Sequence, residues 1–278
     1  MINEEIKKEN LVELFKIYEK VIIAFSGGVD STFMLRTAKE TLGDKVVAVT
    51  LDAPVFPSDE TEFARMFCID NNIEHYVIHV DLLNHEEFTE NHENRCYTCK
   101  KLLFNDVLAL ADELGIINVC EGSIADDDDD YRPGKQAIKE LGVLSPMKEV
   151  GLTKNEIRKL SRQINLPTWD KPSMACLASR IPYGDPIDIS KLKVIEESEK
   201  ILKSKGFTQI RVRHHGNIAR IEVSKDEFYK FADPQFAYEI EKKLKNLGFT
   251  YVTLDLGGYE TGKLNVNISE VNFEENQT

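Results

Sequence analysis

A glycine-rich segment near the N-terminus has the residue types that bind phosphate. The apolar run Val21–Ala24 is followed by Phe25-Ser26-Gly27-Gly28-Val29-Asp30-Ser31-Thr32 and then by a helical pattern. Glycines let backbone N–H groups approach an anion closely, and the N-terminus of the next helix carries partial positive charge. The segment lacks the lysine of the mononucleotide P-loop and the spacing of the dinucleotide fingerprint. It therefore predicts a phosphate cradle of another kind at a strand–helix junction.

Cysteine spacing indicates a second kind of chemistry. Cys96 and Cys99 form a Cys-x-x-Cys pair, and thiolates are the preferred ligands of iron–sulfur clusters. The same pair is compatible with packed or redox thiols, and a closed zinc site would need a fourth ligand such as His92. Cys68 and Cys120 fall in apolar patterns, which predicts that they are buried as small hydrophobic residues. The residues alone leave the role of the pair open.

Charged residues add further candidates. Asp30 could hold Mg²⁺ beside a phosphate and could at the same time cap a helix that begins near Ser31. Arg211 and Arg213 alternate on a predicted strand, so they face one side and could bind one phosphate. A solvated strand edge would give the same alternation. The acidic run at 126–130 suits a solvated loop better than a metal site.

Composition bounds the class of protein. The 278 residues carry a net charge of −13, with 42% hydrophobic and 30% charged residues, as in soluble globular proteins. No apolar run approaches the roughly 18 residues needed to span a membrane. The acidic balance disfavours nucleic acid, which is attracted by basic surface. Five cysteines, an odd number, suggest a reducing interior, so a cytoplasmic location is expected.

The elements that must position these residues form two predicted domains. Strands alternating with helices over residues 21–165 predict an α/β, doubly wound parallel sheet in a domain spanning 1–170. Ligands of such sheets bind beyond the carboxyl ends of the strands, where the glycine-rich segment also lies. Lys171-Pro172-Ser173 resembles a hinge. A smaller C-terminal α+β domain is predicted over 171–278, with helices near 190–206 and 234–247.

The glycine-rich segment resembles the pyrophosphate loop of PP-loop ATP pyrophosphatases, which cleave ATP between its α- and β-phosphates to adenylate a substrate. Five further segments are similar to the LarE family across essentially the whole chain. They are Arg-Cys-Tyr-Thr-Cys-Lys-Lys at 95–101, Asp-Tyr-Arg-Pro-Gly at 130–134, Met-Ala-Cys-Leu-Ala-Ser-Arg at 174–180 with Pro-Tyr-Gly at 182–184, Arg-Val-Arg at 211–213 with Ile-Ala-Arg-Ile-Glu at 218–222, and Leu-Asp-Leu-Gly-Gly-Tyr at 254–259. That family makes pyridinium-3,5-bisthiocarboxylic acid mononucleotide, the precursor of the nickel-pincer cofactor of lactate racemase.

The resemblance implies an ATP-dependent sulfurtransferase that adenylates a pyridinium carboxylate and replaces a carboxylate oxygen by sulfur, with ATP and Mg²⁺ as cofactors. Asp30, Cys176 and Arg180 are then the expected catalytic residues, and Leu51 is expected to contact adenine through its backbone. The loop residues expected to bind the nucleotide are Ser26, Gly27, Gly28, Val29, Asp30, Ser31 and Thr32. The expected substrate contacts are Lys100, Lys101, Tyr131, Arg132, Arg211 and Arg213.

The sulfur source distinguishes two forms of this family. In one form a single cysteine, at the position of Cys176, attacks the acyl-adenylate and gives up its own sulfur, becoming dehydroalanine. In the other form three cysteines hold a [4Fe-4S] cluster that delivers sulfide repeatedly. Because Cys96 and Cys99 are present as well as Cys176, the resemblance favours the cluster form with these three ligands.

Two functions of other kinds compete with this hypothesis. A PP-loop tRNA thiolase would ordinarily bring a basic RNA-binding module or zinc-finger cysteine pairs, and an ATP-binding sensor would not need the three cysteines. The expected partners are a small pyridinium mononucleotide and other copies of the chain in a homo-oligomer, without nucleic acid or membrane. The sulfide donor is not indicated. Glu199, Glu222 and Asp255 could bind a cation or face solvent.

Overall fold

The computed structural model of the chain describes residues 3–129, 133–172, 175–260 and 263. It divides into two compact units. The first consists of Met1–Leu82 with Asn94–Met174, and the second of Leu83–Glu93 with Ala175–Thr278. The chain changes unit four residues beyond the domain boundary predicted at 170. The sequence pattern also gave no sign that residues 83–93 belong with the second unit.

A parallel sheet forms the centre of the first unit. Its strands are β1 (Val21–Ala24), β2 (Val46–Asp52), β3 (Glu74–His79) and β4 (Asn118–Cys120). They are ordered β3-β2-β1-β4, and every pairing is parallel. The predicted doubly wound parallel sheet is confirmed, and β1 lies at its centre because its run of β-branched residues is fully buried.

Helices flank this sheet. They are α1 (Glu4–Tyr18), α2 (Val29–Leu42), α3 (Ser58–Asp70), α5 (Arg95–Leu114), α6 (Gly134–Glu140), α7 (Pro146–Glu149) and α8 (Lys154–Gln163). The core between α1, α2 and the sheet contains an apolar cluster in which Leu11, Phe15, Ile23, Phe33 and Met34 are fully buried. This core fixes the start of α2 at the carboxyl end of β1, which is where the glycine-rich segment lies.

The second unit is the predicted smaller α+β domain. Its strands β5 (Ile210–His215), β6 (Ile218–Val223) and β7 (Tyr251–Leu254) form a sheet ordered β5-β6-β7. Strands β5 and β6 pair antiparallel, whereas β6 and β7 pair parallel. Its helices are α4 (Glu86–Thr89), α9 (Ile189–Ser204) and α10 (Pro234–Asn246).

A buried asparagine explains why residues 83–93 join the second unit. Asn91 is fully buried and has φ of +59°. Its side-chain amide donates to Pro182 O at 2.7 Å and to Asp185 O at 2.8 Å. Its main-chain carbonyl accepts from Gly184 N at 3.1 Å. The Pro-Tyr-Gly segment is therefore folded around Asn91. Hydrogen bonds to backbone carbonyls leave no periodic signal in the sequence.

Within the described residues, none of the helices combines the length and the apolar character that a membrane crossing requires.

Candidate active site

The glycine-rich segment connects β1 to α2 and requires a glycine at position 27. Gly27 has φ of +71°, a conformation that L side chains rarely adopt. A Cβ atom there would lie 2.9 Å from Phe63 Cδ1 and 3.2 Å from Glu60 Oε2, both on α3. The backbone thus turns against α3 at a point that only glycine fits without strain.

Helix α2 presents its N-terminus at this turn. It begins at Val29 with Gly28 in the N-cap position, and no side chain of the described chain caps it. The first N–H groups of an α-helix lack an intrahelical acceptor and carry partial positive charge. Ser26 Oγ lies 3.1 Å from Ser31 Oγ, so two hydroxyl groups meet at the same point. This arrangement suits the predicted phosphate cradle.

Asp30 is the second residue of α2, and Gly28 occupies the N-cap position. The prediction that Asp30 caps the helix is therefore wrong. Asp30 Oδ2 accepts a hydrogen bond from Lys154 Nζ at 2.5 Å. Oδ1 is buried and has no hydrogen-bond partner among the described residues. Burial raises the pKa of Asp30, and Lys154 opposes that shift. An unsatisfied carboxylate oxygen beside a phosphate cradle fits Mg²⁺, which binds through oxygen ligands.

Two lysines that the sequence did not single out reach this loop. Lys154, the first residue of α8, pairs with Asp30. Lys171 Nζ donates to Gly27 O at 3.0 Å and to Glu60 Oε2 at 2.6 Å. The Thr-x-x-Glu capping box of α8 could have placed Lys154 at a helix start. Nothing in the sequence says that this helix start faces the loop.

The end of β2 lies beside the loop, as predicted. Thr50 Oγ1 donates to Phe25 O at 2.8 Å, and His75 Nε2 lies 2.8 Å from the same hydroxyl. Burial lowers the pKa of His75 to about 4, so this imidazole is neutral near pH 7. Leu51 follows Thr50 at the end of the strand. Its backbone contact with adenine stays a prediction.

Helix α5 begins with the Cys-x-x-Cys pair. Cys96 and Cys99 are its second and fifth residues and are partly buried. Residues three apart lie on the same side of a helix, so both positions share one face. Cys68 and Cys120 are buried as predicted. Burial raises the pKa of both thiols, that of Cys68 to about 12, so they are protonated near neutral pH.

The predicted cluster ligands are distributed over both units. Cys96 and Cys99 belong to the first unit and Cys176 to the second. In the part of the chain that the structure describes, no three Cys, His, Asp or Glu side chains are gathered into a metal-binding group. The pair has the donor chemistry and helical spacing of two cluster ligands. The complete three-cysteine site stays a prediction.

Lys100 and Lys101 follow this pair and differ in their contacts. Lys101 Nζ lies 2.9 Å from Glu140 Oε2 and 4.8 Å from the centroid of the Tyr97 ring. Hydrogen bonds from Tyr97 and Lys101 lower the pKa of Glu140 to about 2. Lys100 Nζ lies over the Phe104 ring, 4.9 Å from its centroid. Lys101 must therefore leave a carboxylate before it can bind a substrate.

Arg180 holds the backbone of Cys176. This fully buried arginine ends the 3-10 turn Leu177–Arg180. Its Nη1 donates to Ala175 O at 2.6 Å and to Cys176 O at 2.8 Å. Its Nε and Nη2 each donate to Glu199 at 2.9 Å. These contacts favour a positioning role over the predicted direct role with substrate.

Arg211 and Arg213 lie on β5 and are both buried, so the alternative interpretation as a solvated edge is wrong. Arg213 donates through Nε and Nη2 to Glu222 at 3.1 and 2.9 Å. Arg211 Nη1 donates to Ile210 O at 2.7 Å, and its guanidinium lies 5.0 Å from the centroid of the Tyr259 ring. Burial lowers the pKa of Arg211.

The three acidic residues whose roles the sequence left open each pair with a basic residue of the second unit. Glu199 pairs with Arg180, and Glu222 lies 3.1 Å from Arg220 as well as bonding Arg213. Asp255 Oδ2 lies 2.9 Å from Lys263 Nζ. They act as internal counterions in this structure.

The acidic run begins with two residues that bind backbone N–H groups. Asp126 Oδ2 accepts from Lys154 N at 2.7 Å, and Asp127 Oδ2 accepts from Ile124 N at 2.9 Å. These contacts fix the segment between β4 and α6 and attach it to the start of α8. Five residues named from the sequence lie outside the described residues: Asp130, Tyr131, Arg132, Ser173 and Met174.

Comparison with known proteins decides the family. The model of the family "queuosine biosynthesis protein QueC" matches residues 20–95, from the phosphate loop to the start of α5. The pyridinium-3,5-bisthiocarboxylic acid mononucleotide synthase of Lactiplantibacillus plantarum is 34% identical over 265 residues, which cover 95% of this chain and 95% of that protein. The chain belongs to the family of this synthase, the LarE family.

Two other relatives also align with most of the chain. An uncharacterized protein of Synechocystis is 41% identical over 261 residues, covering 94% of this chain and 97% of the relative. One component of the glutamine-hydrolyzing GMP synthase of Saccharolobus solfataricus is 26% identical over 322 aligned positions, covering 94% of this chain and 83% of the relative. The predicted resemblance is confirmed, and it extends through both units rather than resting on the loop alone.

Proposed function

We propose that this chain is an ATP-dependent sulfurtransferase that converts the carboxylates of pyridinium-3,5-biscarboxylic acid mononucleotide to thiocarboxylates for the nickel-pincer cofactor. The observation that carries this proposal is the near full-length similarity to a pyridinium-3,5-bisthiocarboxylic acid mononucleotide synthase. The turn at Gly27 and the uncapped start of α2 support the use of ATP, because both suit the binding of its phosphates.

The first step is the activation of a carboxylate. A carboxylate oxygen of the substrate attacks the α-phosphorus of ATP, the bond to the β-phosphate bridging oxygen breaks, and an acyl-adenylate and pyrophosphate form. The N-terminus of α2 binds the leaving pyrophosphate, and Lys154 holds Asp30 Oδ2 beside it. Asp30 Oδ1 would hold Mg²⁺, which neutralises phosphate charge when bound.

The second step replaces AMP by sulfur. A sulfur nucleophile attacks the acyl carbon, and AMP leaves with the bonding electron pair. Cys96, Cys99 and Cys176 would hold a [4Fe-4S] cluster; three protein thiolates leave one iron open to carry sulfide. In the alternative, Cys176 attacks directly to form a thioester. Loss of its α-proton and cleavage of its Cβ–Sγ bond then leave dehydroalanine and the thiocarboxylate.

Substrate contacts are proposed for basic residues of the segments that resemble the LarE family. Lys100 and Arg211 could pair with the phosphate or carboxylates of the mononucleotide. Arg213 and Lys101 each bind a glutamate in this structure, so a ligand would have to displace Glu222 or Glu140. Tyr131 and Arg132 remain candidates from the sequence.

A product assay tests the activation step. AMP and pyrophosphate should form only when the pyridinium biscarboxylate mononucleotide is supplied with ATP and Mg²⁺. Formation that depends on tRNA instead would support the tRNA thiolase. Formation with neither acceptor, while ATP still binds, would support the ATP-binding sensor.

Iron analysis tests the sulfur source. Anaerobically purified protein should contain iron and acid-labile sulfide, and Cys96→Ala should lose both together with multiple turnover. Cys68→Ala is the matched control, because Cys68 is buried outside the proposed ligand set. The cluster proposal fails if the protein turns over once only and Cys176 loses the mass of hydrogen sulfide.

A further inference from the structure

We infer that Lys171 is a positioning residue that sets the phosphate loop before the nucleotide binds. The inference rests on the proposed use of ATP. Lys171 comes from the end of the first unit, 144 residues from the loop in sequence, yet its Nζ lies 3.0 Å from Gly27 O. Gly27 is the residue whose positive φ produces the turn. The contact is made with the backbone, so it acts on loop geometry.

The geometry of the peptide bond explains what this contact does. The carbonyl and N–H groups of a trans peptide point in opposite directions, and the described chain contains no cis peptide. When Lys171 holds Gly27 O on one side, the N–H of Gly28 in the same peptide plane points to the other. Gly28 is the N-cap residue of α2. Lys171 thereby directs the first N–H group of the phosphate cradle.

The surroundings of Lys171 keep its ammonium group in place. Glu60 Oε2 accepts from Nζ at 2.6 Å, and the Phe63 ring centroid lies 4.5 Å from Nζ. The main-chain carbonyl of Lys171 accepts from Arg158 Nη2 at 2.7 Å. Both Glu60 and Phe63 also line the space that a side chain at position 27 would need. The same residues therefore exclude a Cβ from the turn and fix the lysine that holds it.

Charge separates this role from that of a phosphate ligand. Glu60 neutralises Lys171 at 2.6 Å, so Lys171 contributes a directed hydrogen bond rather than net charge to an incoming anion. Lys171→Met alone would leave Glu60 as an unpaired negative charge. Removing both charges, as in Lys171→Met/Glu60→Gln, should weaken nucleotide binding without changing how strongly binding depends on salt. A direct phosphate contact would instead reduce the salt dependence of binding when lost.

The experiment compares Lys171→Met with Lys39→Met. Lys39 is a matched control because its Nζ likewise donates to a backbone carbonyl, Asn72 O, and to a carboxylate, Asp44. It lies in the last turn of α2, away from the loop. The measurements are the Kd for Mg–ATP and for pyrophosphate by calorimetry at two salt concentrations. Hydrogen exchange of the Gly28 amide is followed by NMR without nucleotide.

We expect Lys171→Met to raise both Kd values about 10- to 100-fold, the range of one charge-assisted hydrogen bond. Exchange at Gly28 should become faster, and Lys39→Met should match wild type. In Lys171→Met/Glu60→Gln, which leaves no unpaired carboxylate, the dependence of both Kd values on salt should stay unchanged. Lys171→Arg keeps a hydrogen-bond donor and should recover part of the affinity for both ligands. It replaces Lys171→Met in these measurements if the methionine variant does not fold. An unchanged Kd, or unchanged exchange at Gly28, would overturn the inference.

This design separates the inference from the proposed function. If wild-type protein binds neither ATP nor pyrophosphate, the proposed function fails. Exchange at Gly28 in the unliganded protein still decides whether Lys171 positions the loop.

Discussion

Breaking the buried pair of Arg180 and Glu199 should destabilise the second unit strongly. The pair is bidentate and lies in the interior, since both side chains are almost completely inaccessible to solvent. Arg180 also holds the backbone beside Cys176, so this ion pair connects the cysteine-bearing turn to α9. The substitution Arg180→Met keeps much of the side-chain volume and removes every donor.

The magnitude follows from the groups left behind. An uncompensated buried charge costs about 3–5 kcal/mol, and Arg211 interacts electrostatically with Glu199, which favours the lower end. Cys176 O keeps two donors from Ser179, its N–H at 3.0 Å and its hydroxyl at 2.8 Å. Ala175 O loses the Arg180 donor, which adds about 1 kcal/mol. The expected loss in free energy of unfolding is therefore about 4 kcal/mol.

A double-mutant cycle tests whether this loss comes from the stranded carboxylate. Glu199→Gln removes the charge while its side-chain oxygen can still accept the Val212 N–H that binds Glu199 Oε1 at 3.0 Å. Urea unfolding should show Arg180→Met/Glu199→Gln to be more stable than Arg180→Met by about 2 kcal/mol. Lys243→Met, which breaks an exposed pair with Glu239, should leave the urea midpoint close to that of the wild type. The reasoning is refuted if Arg180→Met costs less than about 1 kcal/mol or if the double variant is the less stable one.

Three further substitutions test other parts of the first unit. Gly27→Ala should abolish measurable ATP binding in calorimetry and cost about 1–3 kcal/mol in urea, because of its positive φ and the contact with Phe63; wild-type affinity would contradict this. The native state keeps His75 neutral below its usual pKa of 6.5, down to about 4. The unfolded state therefore binds more protons, and stability falls as pH falls through this window. Between pH 7 and about pH 4.5, the free energy of unfolding should fall by about 2 kcal/mol less in His75→Gln than in wild type. If the free energy of unfolding depends on pH equally in both proteins, the titration of His75 is not the cause. Thr153→Ala removes the cap of α8 and should lower the free energy of unfolding by about 1 kcal/mol. Thr89→Ala in α4 is the control, and an equal loss of free energy in both variants would contradict the capping effect.

Much of the fold was predictable because hydrophobic periodicity determines it. The four parallel strands and the helices between them follow from short apolar runs that alternate with amphipathic patterns. The second unit follows from the alternating strands at 210–215 and 218–223. Residues 83–93 were missed because Asn91, rather than an apolar face, attaches them to the second unit.

Prediction of the candidate site was uneven for a physical reason. The phosphate loop could be found because its glycines are required by backbone conformation, which a residue type can report. Arg180 and Arg213 were predicted to contact substrate, yet in this structure Glu199 and Glu222 bind them. The sequence identifies an arginine by type but does not predict which carboxylate will pair with its guanidinium group. The three cysteines were identified by type and spacing, and their assembly stays a prediction.

Lys171 and Arg180 share a feature that no motif can report. Each donates to a main-chain carbonyl of the candidate site, Gly27 O in the phosphate loop in one case and Cys176 O in the other. Every residue has such a carbonyl, so the acceptor leaves no mark in the sequence, and the basic side chain alone looks like a ligand for an anion. Each is also neutralised by a glutamate, Glu60 or Glu199. A basic residue already paired with a carboxylate attracts an anion weakly but still orients its backbone acceptor. Lys171 should therefore matter more for the geometry of the phosphate loop, and Arg180 for the backbone of Cys176, than for the charge of the surface that the substrate contacts.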